Sequence, residues 1–308
     1  MKLYLNDKPV DFELEKEKTL GEVYAAVTEW LYNRGFIITG AALNDEGEDG
    51  EGKVPLKGKE LSNIPVEEVD SLKLQVRPSI EADYERLHTV RQYLATLHKA
   101  VENENTALIE DLLKDYPVIE EELDSMLKPR SEELRNSDVV LLSGVLKNRS
   151  LTDSAEGGPF RKQAGILLEG FISILDERIA EITGPFAELE RIRERIGPII
   201  EKLEEVPVQL QTGKDKDAMQ SIVEFTELSQ KIARIFPALQ SRHETDASPL
   251  TIDGTSIKEF YGGLNEILNE ITNAFASKDI VLIGDLLEYE TAPRLRQLDD
   301  FIRNLDRG

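Results

Sequence analysis

The residues that come nearest to chemistry lie in one acidic, glycine-rich stretch and on one helix. Gly47-Glu48-Asp49-Gly50-Glu51-Gly52-Lys53 carries the G-x-x-x-x-G-K letters of a phosphate-cradling loop. That chemistry needs a Ser or Thr after the Lys to hold magnesium and a helix to present its amides, and Val54 follows instead. Glu48, Asp49 and Glu51 inside the loop would also repel phosphate. The same stretch mimics a calcium loop through Asp45, Asp49 and Gly50, but the position where a bidentate Glu closes the coordination shell is Leu56. Weak calcium binding by residues 44–52 is the most such a loop offers. Glu85-x-x-His88 is half of a di-iron carboxylate pattern. Neither His98 nor His243 has a Glu three residues before it, so the second half is missing.

With 3 His and no Cys, thiol nucleophiles, disulfides, cysteine-held metals and most nucleophile–base pairs are excluded. Glycoside hydrolysis needs only a pair of carboxylates, which this chain has in plenty. Such sites use aromatic side chains to stack sugars, and here aromatics are 6% with a single Trp. The expectation is a chain that is not an enzyme and holds no cofactor or metal.

Composition narrows the setting. Apolar residues make up 40% and charged residues 31% of 308, a globular balance with room for two domains. The net charge of −23 argues against phosphate backbones and anionic membranes, and favours fast encounter with basic proteins. No apolar run approaches the roughly 20 residues of a membrane span. Met1-Lys2-Leu3-Tyr4-Leu5-Asn6-Asp7 lacks the apolar core of a secretory signal and the Arg-rich character of a transit peptide. A soluble cytoplasmic protein, with neither nucleic acid nor membrane insertion, is the expected setting.

Two rhythms run along the chain. Before Pro78 the period is two: Met1, Leu3 and Leu5 point one way, and Val10, Phe12 and Leu14 continue after a turn at Asn6-Asp7-Lys8. Thr19 with Glu22 forms a capping box ahead of a helix burying Leu20, Val23, Ala26, Val27, Trp30 and Leu31, which Gly35 ends. Phe36–Thr39, Val54–Leu56 and Leu72–Val76 are the remaining strand candidates.

This order of strands about one helix, with Val54-Pro55-Leu56-Lys57-Gly58-Lys59-Glu60-Leu61 and then Val69 to Val76, resembles a ubiquitin-like β-grasp domain. The resemblance covers residues 1–77. It implies one helix across a mixed sheet and an outer sheet face available to other proteins. The departures are chemical: ubiquitin ends in a free Gly-Gly, whereas this strand runs through Arg77-Pro78-Ser79 into a helix, so conjugation through that end is unavailable. Ubiquitin's receptor-binding face is apolar, whereas the matching positions here are Lys73, Gln75 and Arg77 beside Tyr4, which argues against ubiquitin receptors and leaves these four as the expected protein contacts.

From Glu81 the period becomes 3.6, and residues 78–308 read as an all-α body. Leu94, Leu97, Ala100 and Val101 recur 174 positions later as Leu268, Ile271, Ala274 and Phe275. Leu108-Ile109-x-Asp111-Leu112-Leu113 recurs as Leu282-Ile283-x-Asp285-Leu286-Leu287 without a gap. Both read as helical hairpins, over 84–127 and 258–304, with Asn105 and Asp279 at the N-caps. A third copy around Thr212–Asp217, followed by Met219, Ile222 and Val223, fits with one inserted residue. Long central helices fill 159–239, broken at Gly184-Pro185; Gly157-Gly158-Pro159 and His243–Gly254 read as exposed loops. The expected fold class is α+β: a β-grasp head, then a body of repeated helical hairpins. The expected function is a non-catalytic adaptor or scaffold binding proteins through both parts. The alternative is a chaperone-like sheath for one amphipathic client segment, such as an export substrate.

Overall fold

The computed structural model describes residues 1–12, 17–32, 34–43, 64–127, 137–152, 157–243 and 251–305. The architecture is α+β, a mixed four-stranded sheet followed by a body that is almost entirely helical. Two compact units divide the chain, Met1–Glu85 and Arg86–Gly308. The division falls inside a helix, seven residues beyond Pro78 where the hydrophobic period changes. Two contacts explain the overhang: the Ser79 amide donates to Gly35 O at 2.7 Å, and Arg77 pairs with Glu85 at 2.6 Å.

In the first unit β1 (Lys2–Leu5) and β2 (Lys8–Val10) form a hairpin turned at Asn6 and Asp7, whose φ values of 48° and 64° suit a two-residue turn. Helix α1 (Leu20–Tyr32) begins at the expected capping box. Thr19 Oγ1 accepts from Glu22 N at 3.3 Å, and Glu22 Oε2 accepts from Lys18 N and Thr19 N at 2.6 and 3.1 Å. Those amides hold the Glu22 carboxyl below its ordinary value. Gly35, at φ 76°, turns the chain into β3 (Phe36–Leu43); a short 3-10 turn (Val66–Glu68) leads into β4 (Ser71–Pro78).

The sheet order is β2-β1-β4-β3, with β1 and β4 parallel and the outer pairs antiparallel. Asn6 lengthens the parallel ladder after the chain has turned away, since its side-chain amide donates to Val76 O and accepts from Val76 N, both at 2.9 Å. Leu20, Val23, Val27 and Leu31 of α1 close on Leu3, Ala41, Leu72 and Leu74 of the sheet. Each such burial contributes about 1.5–3 kcal/mol for a Leu or Val. The sequence placed Trp30 in this core, but it is 39% exposed. The stripe from Val23 through Val27 to Leu31 steps by four residues, and position 30 falls on its flank. The strand expected at 54–56, the turn after it and the acidic segment 44–53 lie outside the described residues.

The helical body comprises α2 (Ser79–Glu102), α3 (Thr106–Leu127), α4 (Ser137–Leu146), α5 (Gly158–Thr183), α6 (Pro185–Gln211) and α7 (Asp215–His243). A two-stranded hairpin of β5 (Thr251–Ile252) and β6 (Thr255–Ser256) precedes α8 (Ile257–Ser277), α9 (Ile280–Asp285), a π turn (Leu286–Thr291) and α10 (Ala292–Asn304). Two readings of exposed loops change. Gly157 is buried and α5 starts at Gly158, because Pro159 suits the first turn of a helix. Part of the second loop is the β5–β6 hairpin, which buries Ile252. No helix among the described residues is long and apolar enough to cross a membrane.

Two hydrophobic clusters fill the body, one built from residues between Leu87 and Leu175 and one from residues between Leu189 and Ile302. Where α5 and α6 meet α7, charges face each other: Lys231 reaches Glu177 at 2.7 Å and Glu188 at 2.8 Å, and Arg234 grips Glu181 through Nε and Nη2 at 2.8 and 2.7 Å. Glu181 and Glu188 are buried, and each has a cation beside it, so neither charge is left uncompensated.

The repeat is written in the turns. Glu104 and Lys278 both take left-handed φ, 51° and 57°. Each turn closes with the same pair of bonds: Glu104 N to Val101 O and Asn105 N to Ala100 O, matched by Lys278 N to Phe275 O and Asp279 N to Ala274 O. Asn105 and Asp279 then cap the second helices, accepting from Leu108 N at 3.2 Å and Leu282 N at 3.0 Å. The third copy has the same turn, with Gly213 at φ 75°, Gly213 N to Leu210 O and Lys214 N to Gln209 O. It needs no inserted residue. Leu94, Leu97, Ile109 and Leu113 correspond to Leu203, Val206, Ala218 and Ile222, 109 positions on, while Met219 and Val223 lie exposed.

Candidate functional site

The four contacts expected from the sequence are brought together on one sheet. Tyr4 and Lys73 are register partners on β1 and β4, and Lys73 Nζ lies 5.8 Å from the Tyr4 ring centroid, a cation–π pair that keeps both side chains half-buried. Gln75 follows two residues along β4, opposite Gly40 on β3, and its side chain lies over that glycine, where an added Cβ would meet Oε1 at 3.5 Å. Thr39, in the irregularity between Ile38 and Gly40, donates its hydroxyl to Gln75 O at 3.2 Å. Arg77 differs from its expected role: Glu85 holds its guanidinium, so its charge is neutralised within the unit. Tyr4, Lys73 and Gln75 therefore form the presented set, flat and polar with one aromatic ring.

Sequence reasoning missed a second set on α1. Trp30 is partly exposed with the Arg34 guanidinium 4.0 Å from its ring centroid, and Arg34 Nη1 also donates to Trp30 O at 3.3 Å. Tyr32, two residues on, is 73% exposed. The signal was a Trp near the end of the helix followed four residues later by Arg, close enough for the guanidinium to fold back on the ring. Trp, Tyr and Arg are the types enriched among the residues that dominate interface energies.

Glu85, part of the di-iron look-alike, is committed to Arg77, and His98 lies 3.6 Å from Glu102. Among the described residues no group of three or more His, Asp or Glu side chains is placed to hold a metal ion.

The fold and these surfaces define a two-unit α+β protein, a small sheet-and-helix unit joined to a body of helical hairpins. Residues 1–78 match the family model described as "TP0873 N-terminal domain", and residues 188–301 match the model described as "Domain of unknown function (DUF8042)". These matches coincide with the core of the first unit and with the second helical cluster. The chain is also similar to an "Uncharacterized protein" of Treponema pallidum (strain Nichols), 27% identical over 106 residues, which is 34% of this chain and 52% of that relative. The chain thus spans about half the length of this curated relative. No solved structure matches.

Proposed function

We propose that this protein is a non-catalytic adaptor whose first unit is a ubiquitin-like β-grasp head that docks other proteins, while the acidic helical body supplies a second binding surface. The topology supports the β-grasp reading, since one helix crosses a mixed sheet whose β1 and β4 are parallel neighbours. The observation that carries the adaptor reading is Trp30. The chain has a single Trp, and the head leaves it partly in water under a stacked Arg34 while smaller side chains fill the core. Partner capture from cell lysate with the 308-residue chain is the test, read alongside Trp30 fluorescence. The expected result is a specific partner, a blue shift of the emission on binding, and loss of capture in Trp30→Ala with an unchanged melting temperature. A Trp30→Ala variant that captures the same partner equally well would sink this role.

A chaperone-like sheath for an amphipathic client is the second reading, supported by an apolar surface in the body. Pro207 packs on Gly284, where an added Cβ would lie 3.3 Å from its ring, while Val208 and Val281 are 60% and 73% exposed. Under this reading, Val208→Asp with Val281→Asp abolishes client binding and Trp30→Ala leaves it intact; the adaptor reading expects Trp30→Ala to matter.

A further inference from the structure

We propose that the cavity between the β5–β6 turn, the start of α8 and the start of α10 binds a small zwitterion, an α-amino acid with an apolar side chain. The cavity measures about 360 Å³, within the range of small-ligand sites. All its lining residues fall inside the segment matched by the second family model, and none belongs to the docking surfaces above.

Arg294 is the first determinant. It is half-buried and makes no ion pair or side-chain hydrogen bond among the described residues, in a chain with 60 acidic residues to choose from. Its guanidinium lies against α8 at Gly263, where an added Cβ would come within 3.0 Å of Cζ. The bare glycine backbone is therefore what seats the cation. A partly desolvated guanidinium without a carboxylate is a costly arrangement that an incoming carboxylate relieves, with two parallel N–H···O bonds.

The rim supplies the complementary charge. Asp253, at the hairpin tip with φ 49°, and Glu290 line the same cavity, and neither has an ion-pair partner among the described residues. A free inorganic anion would be repelled by this pair, whereas a ligand carrying an ammonium beside its carboxylate satisfies both ends. Pro293 and the exposed ring of Tyr289, set over buried Ile252 and Phe260, give the apolar wall on which its side chain rests.

The π turn shapes the opening. Ala292 N reaches back to Leu287 O, the Thr291 hydroxyl donates to Leu286 O at 3.0 Å, and Pro293, with no amide hydrogen, follows in the first turn of α10. The widened turn carries Tyr289 and Glu290 to the cavity wall.

The test is calorimetric titration of the 308-residue chain with L-leucine and L-phenylalanine, beside L-leucinamide and N-acetyl-L-leucine, which lack the carboxylate and the ammonium. The expected result is saturable binding of at least one free amino acid and binding at least about tenfold weaker for both blocked forms. Arg294→Met removes detectable binding. Gly263→Ala keeps every charge but displaces the guanidinium, so it weakens binding by about tenfold or more while the melting temperature holds or rises, as Ala favours a helix interior. That variant separates a lost site from a lost fold. No heat with either amino acid up to about 10 mM, leucinamide binding as well as leucine, or wild-type affinity in Gly263→Ala would each overturn the proposal.

Discussion

The first and last helical hairpins run in step from Leu94 and Leu268 through their turns to Leu113 and Leu287, and then part by one residue. In the first, α3 stays α-helical and buries Tyr116 and Leu123. In the last, the π turn takes up an extra residue, and the equivalent buried positions are Thr291 and Leu298, 175 rather than 174 positions on. Where the first hairpin fills its interior with a phenol, the last places a hydroxyl that bonds back to its own helix. The middle hairpin sides with the first, burying Phe225 and Ile232. A single inserted residue thus leaves the packed positions intact and shifts Tyr289 and Glu290, which line the cavity.

Substitutions at the equivalent positions test this reading most strongly. Tyr116→Ala and Phe225→Ala are expected to cost about 3–5 kcal/mol each in urea unfolding, and Thr291→Ala only about 1 kcal/mol, the worth of one hydrogen bond. Comparable losses at all three sites would refute the equivalence. At the charged seam, Glu181→Ala should cost about 3–5 kcal/mol by leaving Arg234 unpaired, while a volume-matched apolar replacement of both partners should be nearly neutral.

The turns come next. Asn105→Ala and Asp279→Ala are each expected to lose about 1 kcal/mol, and Lys214→Asn to gain up to about 1 kcal/mol, because the middle turn has a Lys where the other two have a capping side chain. Equal responses in all three would mean that the shared turn geometry does not depend on its cap.

The smallest effect is with pH. Hydrogen bonding to Arg91 holds Asp176 below its ordinary value, and hydrogen bonding to Lys231 does the same for Glu177. A depressed carboxyl binds its proton less tightly folded than unfolded. The stability it brings is therefore present above the unfolded value of about 4 and is lost as pH falls through the lower folded value. Melting temperature should decline in acid, and Asp176→Asn should flatten that decline slightly.

Much of this organisation could be read from residue order. The α1 capping box, the Gly35 stop, the break at Gly184-Pro185 and two of the hairpins follow from local chemistry that acts within a few residues. Trp30 was misplaced because hydrophobic spacing gives a stripe without saying how wide the sheet beneath it is. The middle hairpin is one residue out of line in the sequence reading because Met219 is the larger apolar side chain, whereas Ala218 is the one buried. The cavity was invisible for a different reason. It is assembled from a hairpin read as a loop, Phe260 at the start of α8 and an arginine further along the chain, and no periodicity links them.

The charged seam between the two helical clusters has a consequence for how the body comes apart. Its grip is ionic while each interior is oily, and dissolved salt weakens the first but not the second. Glu177 is half exposed and yields first to screening, whereas Glu181 and Glu188 are sheltered. Raising the ionic strength should therefore free Glu177 alone and leave the sheltered pairs closed, so the body should still unfold in one calorimetric transition.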